Sequence, residues 1–233
     1  MTVAAVLGAP GLPGAKRATG ERVERGTGTD VVAWEDAFAA MVAEEDALRA
    51  EGRWTRGPHD LLAIIGRRRC ELTHNRMLAW FLDPAAAHGL GVAPLQALLS
   101  LLGVDQPAQD VLARAHVARE VRGLAGGDVT IADVLIDTED LRIVFEVKVD
   151  AHEQDEQGDR LVEAFGGAED TVFVFLTLDG RSPRSATKLH GRWRGLAWRG
   201  VLEMMEQVTR ERSPSDGAAT TIDAYVESLR RMM

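Results

Sequence analysis

Three runs rich in β-branched residues lie close together in the middle of the chain, and their spacing limits the folds that it can adopt. They cover residues 116–123, 128–137 and 141–149, and Gly- or Asp-containing turns separate them. Strands joined by such short turns form an antiparallel meander. A helical segment at 152–165 and a buried strand at 171–178 follow. Residues 116–178 therefore predict a β-β-β-α-β unit, and a further short strand is expected within residues 191–198.

Helical patterns flank this unit on both sides. Apolar residues recur at three- and four-residue spacing in several segments before and after it, at residues 31–52, 59–69, 71–82, 92–103, 105–115, 199–212 and 218–233. Asp30 is the expected N-cap of the first helix. The order of elements predicts an α/β fold, a mixed sheet flanked by helices. We expect a flexible arm at residues 1–29 and a single domain at 30–233, made of a helical lead-in (30–115), a core (116–200) and C-terminal helices (201–233).

Length, charge and cysteine content narrow the class of protein. A chain of 233 residues suits one domain. Cys70 is the single cysteine, which excludes an internal disulfide and favours a reducing compartment. No apolar run approaches the roughly 18 residues of a membrane span, so a cytoplasmic protein is expected, without a membrane partner. The net charge of −9 argues mildly against a protein that coats nucleic acid, but it is compatible with an enzyme that has a local basic groove.

Two charged side chains interrupt the most β-prone of the three runs. Because alternate residues of a strand face opposite sides, Glu146 and Lys148 share one face, whereas the apolar residues at 143, 145, 147 and 149 share the other. If the two strands form a hairpin around residues 137–141, Asp133 and Glu146 converge. Neighbouring carboxylates need a cation, and hard oxygen ligands suit Mg²⁺ or Mn²⁺. The pattern predicts a metal-dependent phosphodiesterase, with Lys148 directed at the reacting group; the alternative is a solvated ion pair.

These residues resemble the PD-(D/E)XK nuclease superfamily. Residues 131–161 are similar to its core, with an acidic residue on one strand, Glu-x-Lys on the next and a glutamine in the helix that follows. The segment at 71–84, the His-Gly-Leu-Gly turn at 88–91 and the Leu-rich helix after it resemble the lead-in of a prokaryotic branch. Residues 172–198 are similar to the continuation of that branch. The resemblance covers about residues 61–200 and implies a restriction-endonuclease-like fold.

The resemblance also implies roles for individual residues. Asp133 and Glu146 would be metal ligands, Lys148 the catalytic lysine, and Gln157 a glutamine that lines the site. Glu71 would correspond to an acidic residue of the leading helix that approaches the metal. Ala132 stands where the family has proline, which does not touch the chemistry.

Several other polar residues are weaker candidates for the site. The arginine run and a turn histidine could contact nucleic acid: Arg67, Arg68, Arg69 and His88. Gln154 competes with Gln157, and Glu120 is a possible acidic neighbour. His74 and Asn75 lie on a helix that could border the cleft. Asp150 is expected to cap the helix at 152–165 instead of binding metal.

The resemblance implies an endonuclease that uses Mg²⁺ or Mn²⁺ and acts on nucleic acid. DNA is the expected substrate because most members act on it. RNA remains an alternative substrate, because the motif recognises a phosphate and a metal, not a base. Members serve in restriction, phage defence, repair and mobile elements, so a role in antiviral defence is expected. A homodimer or an activating protein partner is possible. The rival interpretation is a catalytically silent module that keeps the fold for protein assembly.

Overall fold

The computed structural model describes residues 28–53, 57–150, 153–167, 170–188 and 190–233. Its contacts divide the chain into two units, residues 1–56 and 57–233. The first unit contains α1 (Gly28–Ala50), which begins two residues before the predicted N-cap Asp30. The predicted arm lies outside the described residues except for its last two, which belong to α1. The predicted extent of the single domain stays a prediction.

Seven helices follow among the described residues of the second unit. They are α2 (Leu61–Ile64), α3 (Glu71–Leu82), α4 (Ala93–Leu102), α5 (Gln109–Ala113), α6 (Gln157–Phe165), α7 (Trp198–Glu211) and α8 (Asp216–Met232). The helix predicted at 59–69 is wrong in length, because Gly66 takes a φ of +67° and Arg67 N–H bonds back to the carbonyl of Leu62. Within the described ranges, no helix is both long enough and apolar enough to cross a membrane.

Five strands in the described part of the chain form one mixed sheet in the order β1-β2-β3-β4-β5. They are β1 (His116–Ala125), β2 (Asp128–Asp137), β3 (Arg142–Val147), β4 (Thr171–Thr177) and β5 (Trp193–Ala197). The first three form the predicted antiparallel meander. The crossover through α6 makes β4 parallel to β3, and β5 is parallel to β4. This arrangement confirms the α/β fold with a restriction-endonuclease-like mixed sheet.

Each face of the sheet packs into its own apolar core. The larger core contains Ile143, Phe145 and Val147 of β3 together with residues of α3, α4, α7 and α8. The smaller core contains Val144 of β3 and Leu161 of α6. The alternation predicted for β3 is therefore present, and it leaves Glu146 on the side of α6.

The regular alternation of β2 breaks at Asp133. Ala132 belongs to the smaller core, whereas Val134, two residues further on, belongs to the larger one. Opposite Asp133 on β1, Glu120 takes a φ of 51°, in the left-handed region that non-glycine residues seldom adopt. The pairing of β2 with β3 also stops here, since its last partners are Val134 and Phe145. The strands therefore separate at Asp133.

The helix predicted at 152–165 begins later, at Gln157. Gln154, Asp155 and Glu156 are exposed and have no apolar face to bury, so the helix starts where Gly158 first becomes buried. The predicted capping role of Asp150 is wrong, because Asp150 lies outside the helix and forms an ion pair with Arg69.

Candidate active site

Asp133 is held at the point where β2 leaves β3. Its Oδ2 accepts a hydrogen bond from the backbone N–H of Val147 at 2.7 Å, and its Oδ1 accepts one from Asn75 Nδ2 at 2.9 Å. Burial raises the pKa of Asp133, although the Val147 N–H and the charge of Lys148 oppose that rise. The carboxylate is thus fixed on both oxygens by groups from β3 and α3.

Glu146 is the most deeply buried carboxylate of the site, with 3% of the residue exposed. Its Oε1 accepts a hydrogen bond from Gln157 Nε2 at 2.7 Å and lies 2.6 Å from Lys148 Nζ. Burial, followed by repulsion from Asp133, raises the pKa of Glu146 to about 8, more than the attraction of Lys148 offsets. A proton or a cation therefore stabilises this position strongly.

Lys148 lies beside the two carboxylates, with 12% of its side chain exposed. Its backbone N–H donates to the carbonyl of Leu176 at 2.8 Å, which keeps it in register with β4. Burial alone would lower the pKa of Lys148, but the charges of Glu146, Glu71 and Asp133 outweigh burial and raise it. The side chain is therefore an ammonium that faces an acidic cluster.

Glu71 approaches the site from the first turn of α3. Its Oε1 accepts a hydrogen bond from the backbone N–H of Val149 at 2.9 Å. Its charge raises the pKa values of Asp133, Glu146 and Lys148, so it lies within electrostatic range of all three. Glu71 therefore lies beside Asp133, Glu146 and Lys148, and its predicted role at a metal stays a prediction.

Gln157, and not Gln154, reaches the acidic cluster. Gln157 is the first residue of α6 and donates to Glu146, whereas the side chain of Gln154 is exposed. Glu120 is also exposed, and it lies on β1, the strand that pairs with the Asp133-bearing strand β2. Among the predicted residues, the structure therefore brings together Asp133, Glu146, Lys148, Gln157 and Glu71.

The nucleic-acid contacts predicted for the arginine run are only partly available. Arg68 forms an ion pair with the buried carboxylate of Asp60, which serves α2 as its N-cap. Arg69 is exposed and pairs with Asp150, two residues beyond Lys148. Arg67 is exposed, and its Nη1 lies 3.7 Å from Cys70 Sγ. Arg68 thus holds the N-cap residue of α2, whereas Arg67 and Arg69 are exposed and their contact with nucleic acid stays a prediction.

The predicted contact between His88 and nucleic acid needs correction. His88 is fully buried, with 0% of the residue exposed. Its Nδ1 accepts from the N–H of Leu90 at 2.9 Å, and its Nε2 lies 3.0 Å from the carbonyl of Asp83. Trp80 packs edge-on against its ring. Because both ring nitrogens are used to close the turn, His88 has no group left for a ligand.

A model of the PD-(D/E)XK nuclease superfamily matches residues 59–227 of the chain. The chain belongs to this superfamily. No curated protein and no solved structure gave a significant match. As a PD-(D/E)XK nuclease, the protein is expected to bind nucleic acid, and nucleases of this superfamily generally use divalent metals.

The donor set of this PD-(D/E)XK nuclease fits a hard divalent cation. Asp133 and Glu146 supply carboxylate oxygens, and their burial makes a positive partner favourable. The described residues contain no preformed group of three or more His, Cys, Asp or Glu ligands. Mg²⁺ nevertheless keeps several waters and needs only one or two carboxylates from a protein. Asn75 Oδ1, a buried acceptor without a partner among the described residues, also suits a hydrated ion.

Asn75 is the site residue that sequence reasoning placed only near the cleft. It follows Glu71 by four residues, so both side chains lie on one face of α3. The signal in the sequence was that Asn75 is a polar residue one helical turn after Glu71, a candidate metal ligand. The helix pattern alone could not show that its amide faces Asp133, because that contact joins residues 58 positions apart.

Proposed function

We propose that the protein is a divalent-metal-dependent endonuclease that hydrolyses phosphodiester bonds, with DNA as its substrate. One observation carries the proposal: Asp133, Glu146 and Lys148 meet where β2 separates from β3, with Lys148 Nζ 2.6 Å from the buried carboxyl group of Glu146. An ordinary ion pair inside a protein gains little net stability, so this arrangement calls for a function. DNA is proposed because most members of the superfamily act on it.

In this proposal each side chain has a separate task. Asp133 and Glu146 would hold Mg²⁺ or Mn²⁺, with Glu71 nearby as a further acidic group. The bound ion would lower the pKa of a water and neutralise charge on the phosphate. Lys148 would donate hydrogen bonds to the phosphoryl oxygens or orient the attacking water. Gln157 would keep the Glu146 carboxylate in place through its 2.7 Å hydrogen bond.

A cleavage assay tests the proposal. Plasmid DNA, single-stranded DNA and RNA are each incubated with the full chain and Mg²⁺ or Mn²⁺, with EDTA as the metal-free control. We expect Lys148→Ala to reduce the rate about 10²- to 10³-fold, as removal of one transition-state donor usually does. Arg210→Ala, an exposed change on α7, should cut like the wild type. Equal cutting by wild type and Lys148→Ala would refute the assignment.

The substrate and the biological role are separate parts of the proposal. If the protein cleaves RNA but neither plasmid DNA nor single-stranded DNA, the proposed substrate becomes RNA and the proposed active site is unchanged. A role in phage defence or restriction is proposed on family grounds. A homodimer is proposed because cutting both strands of a duplex needs two sites or two events. An activating partner becomes the better explanation only if cutting begins on its addition.

A further inference from the structure

Asn75 combines three features that an ordinary helix residue does not have. It is 1% exposed, its Nδ2 donates to Asp133 Oδ1 at 2.9 Å, and its Oδ1 has no hydrogen-bond partner among the described residues. A buried amide oxygen without a partner costs stability, and the hydrogen bond from Nδ2 to Asp133 offsets only part of that cost. The amide orientation is also determined, because the opposite one would place two oxygens against each other.

The second oxygen of Asp133 is held by a different element. Val147 N–H of β3 donates to Oδ2, whereas Asn75 of α3 donates to Oδ1. The two donors together fix the plane of the carboxylate. With Val147 alone, the group could turn about its Cβ–Cγ bond, since a single hydrogen bond leaves that rotation open. Val147 donates through its backbone, so Asn75 is the donor that mutation can remove.

We propose that Asn75 is a positioning residue that holds the Asp133 carboxylate in the orientation that binds a divalent cation. The inference rests on the proposed function, because it assumes that Asp133 is a metal ligand. Asn75 acts through Asp133, to which its Nδ2 donates a hydrogen bond. Hydrogen-bonding partners of metal-binding carboxylates commonly set metal affinity in this way.

The chain offers variants that separate positioning from packing. Asn75→Leu keeps a side chain of similar size and removes the donor. Asn75→Ser keeps a shorter donor at the same place on α3. Gln207→Ala is the matched control, because Gln207 Nε2 also donates to a carboxylate at 2.9 Å, that of Glu211, but lies exposed on α7. Circular dichroism and thermal unfolding establish which variants are folded, and Asn75→Ala replaces Asn75→Leu if the latter does not fold.

The test measures Mn²⁺ affinity of the full chain by electron paramagnetic resonance, without nucleic acid. We expect Asn75→Leu to bind Mn²⁺ about 10- to 100-fold more weakly than the wild type. Asn75→Ser should recover part of that loss, and Gln207→Ala should stay within about 2-fold of the wild type. Binding of a DNA duplex in EDTA should also stay within about 2-fold for every folded variant, because the metal is absent and the fold is kept.

Three results would overturn the inference. The first is wild-type Mn²⁺ affinity in a folded variant without the donor. The second is an equal loss of DNA binding in EDTA, which would indicate a general structural defect. The third is a wild type that binds no Mn²⁺. Cleavage is measured separately, so a wild type that binds Mn²⁺ and cuts nothing contradicts the proposed function while the affinity series still decides the role of Asn75.

Discussion

Glu146→Gln should stabilise the protein at alkaline pH while it abolishes cleavage. Glu146 is 3% exposed, and burial together with the charge of Asp133 raises its pKa from 4.5 to about 8. Between these two pH values, the folded protein binds one proton more than the unfolded chain at this position. The carboxyl group is therefore favourable to folding when it is neutral and unfavourable when it is charged.

The sign and size of the effect follow from this shift. The stability that the neutral carboxyl group of Glu146 contributes to the folded state is fully present below about pH 4.5. It is lost as the pH rises through about 8. A difference of about 3.5 pH units corresponds to about 5 kcal/mol, since one pKa unit is worth about 1.4 kcal/mol. A neutral glutamine keeps the uncharged state at every pH. The free energy of unfolding of Glu146→Gln should thus exceed that of the wild type by several kcal/mol near pH 9 and by little near pH 5.

Urea unfolding of the full chain from pH 5 to pH 9 in EDTA measures this difference. Glu203→Gln is the control, because it makes the same substitution at an exposed position on α7. Addition of Mn²⁺ at pH 8.5 should stabilise the wild type and have little effect on Glu146→Gln, since ligand binding stabilises only a protein that binds it. Parallel curves for wild type and Glu146→Gln across the pH range would show that Glu146 is not held at a raised pKa.

Two further predictions concern residues around the site. Arg68→Ala should lower the free energy of unfolding by about 1–3 kcal/mol, because it removes the ion-pair partner that contributes most to lowering the pKa of the 2%-exposed Asp60 to about 2. Arg67→Ala, an exposed change, should stay within about 0.5 kcal/mol in the same urea titration. Gly158→Ala should cost about 1–3 kcal/mol and slow cleavage, since its Cβ would lie 2.7 Å from Ala186 Cβ and would displace the adjacent start of α6. Gly217→Ala, whose Cβ would meet nothing within 4 Å, is the control. Cleavage by Gly158→Ala at the wild-type rate would show that the start of α6 does not matter.

The sequence predicted those parts of the structure that depend on local periodicity. Strand alternation separated Glu146 and Lys148 from the apolar face of β3, and the boundaries of α3 and β2 follow from their patterns. A family resemblance supplied Gln157 and Glu71, which periodicity alone would not single out. These residues lie at the first position of α6 and α3 respectively.

The parts that were missed depend on how neighbouring and distant segments fold against one another. The burial of His88 requires the carbonyl of Asp83 and the ring of Trp80 to close around it. The late start of α6 depends on which of its residues meet the sheet. Neither is visible in a linear pattern, because a turn histidine and a polar helix look the same whether buried or exposed.

The separation of β2 from β3 explains why the acidic cluster lies where it does. The β2–β3 ladder ends at Val134 and Phe145, so the N–H of Val147 requires another acceptor. The Asp133 carboxylate is that acceptor, and this hydrogen bond fixes it close enough to Glu146 to raise the pKa of that residue. The irregular end of the ladder and the crowding of carboxylates are therefore one structural feature. A sheet that continued its regular pairing would satisfy Val147 through the backbone and leave Asp133 free to turn away. The cost of the cluster is largest in the absence of a cation, and a bound divalent ion would offset it.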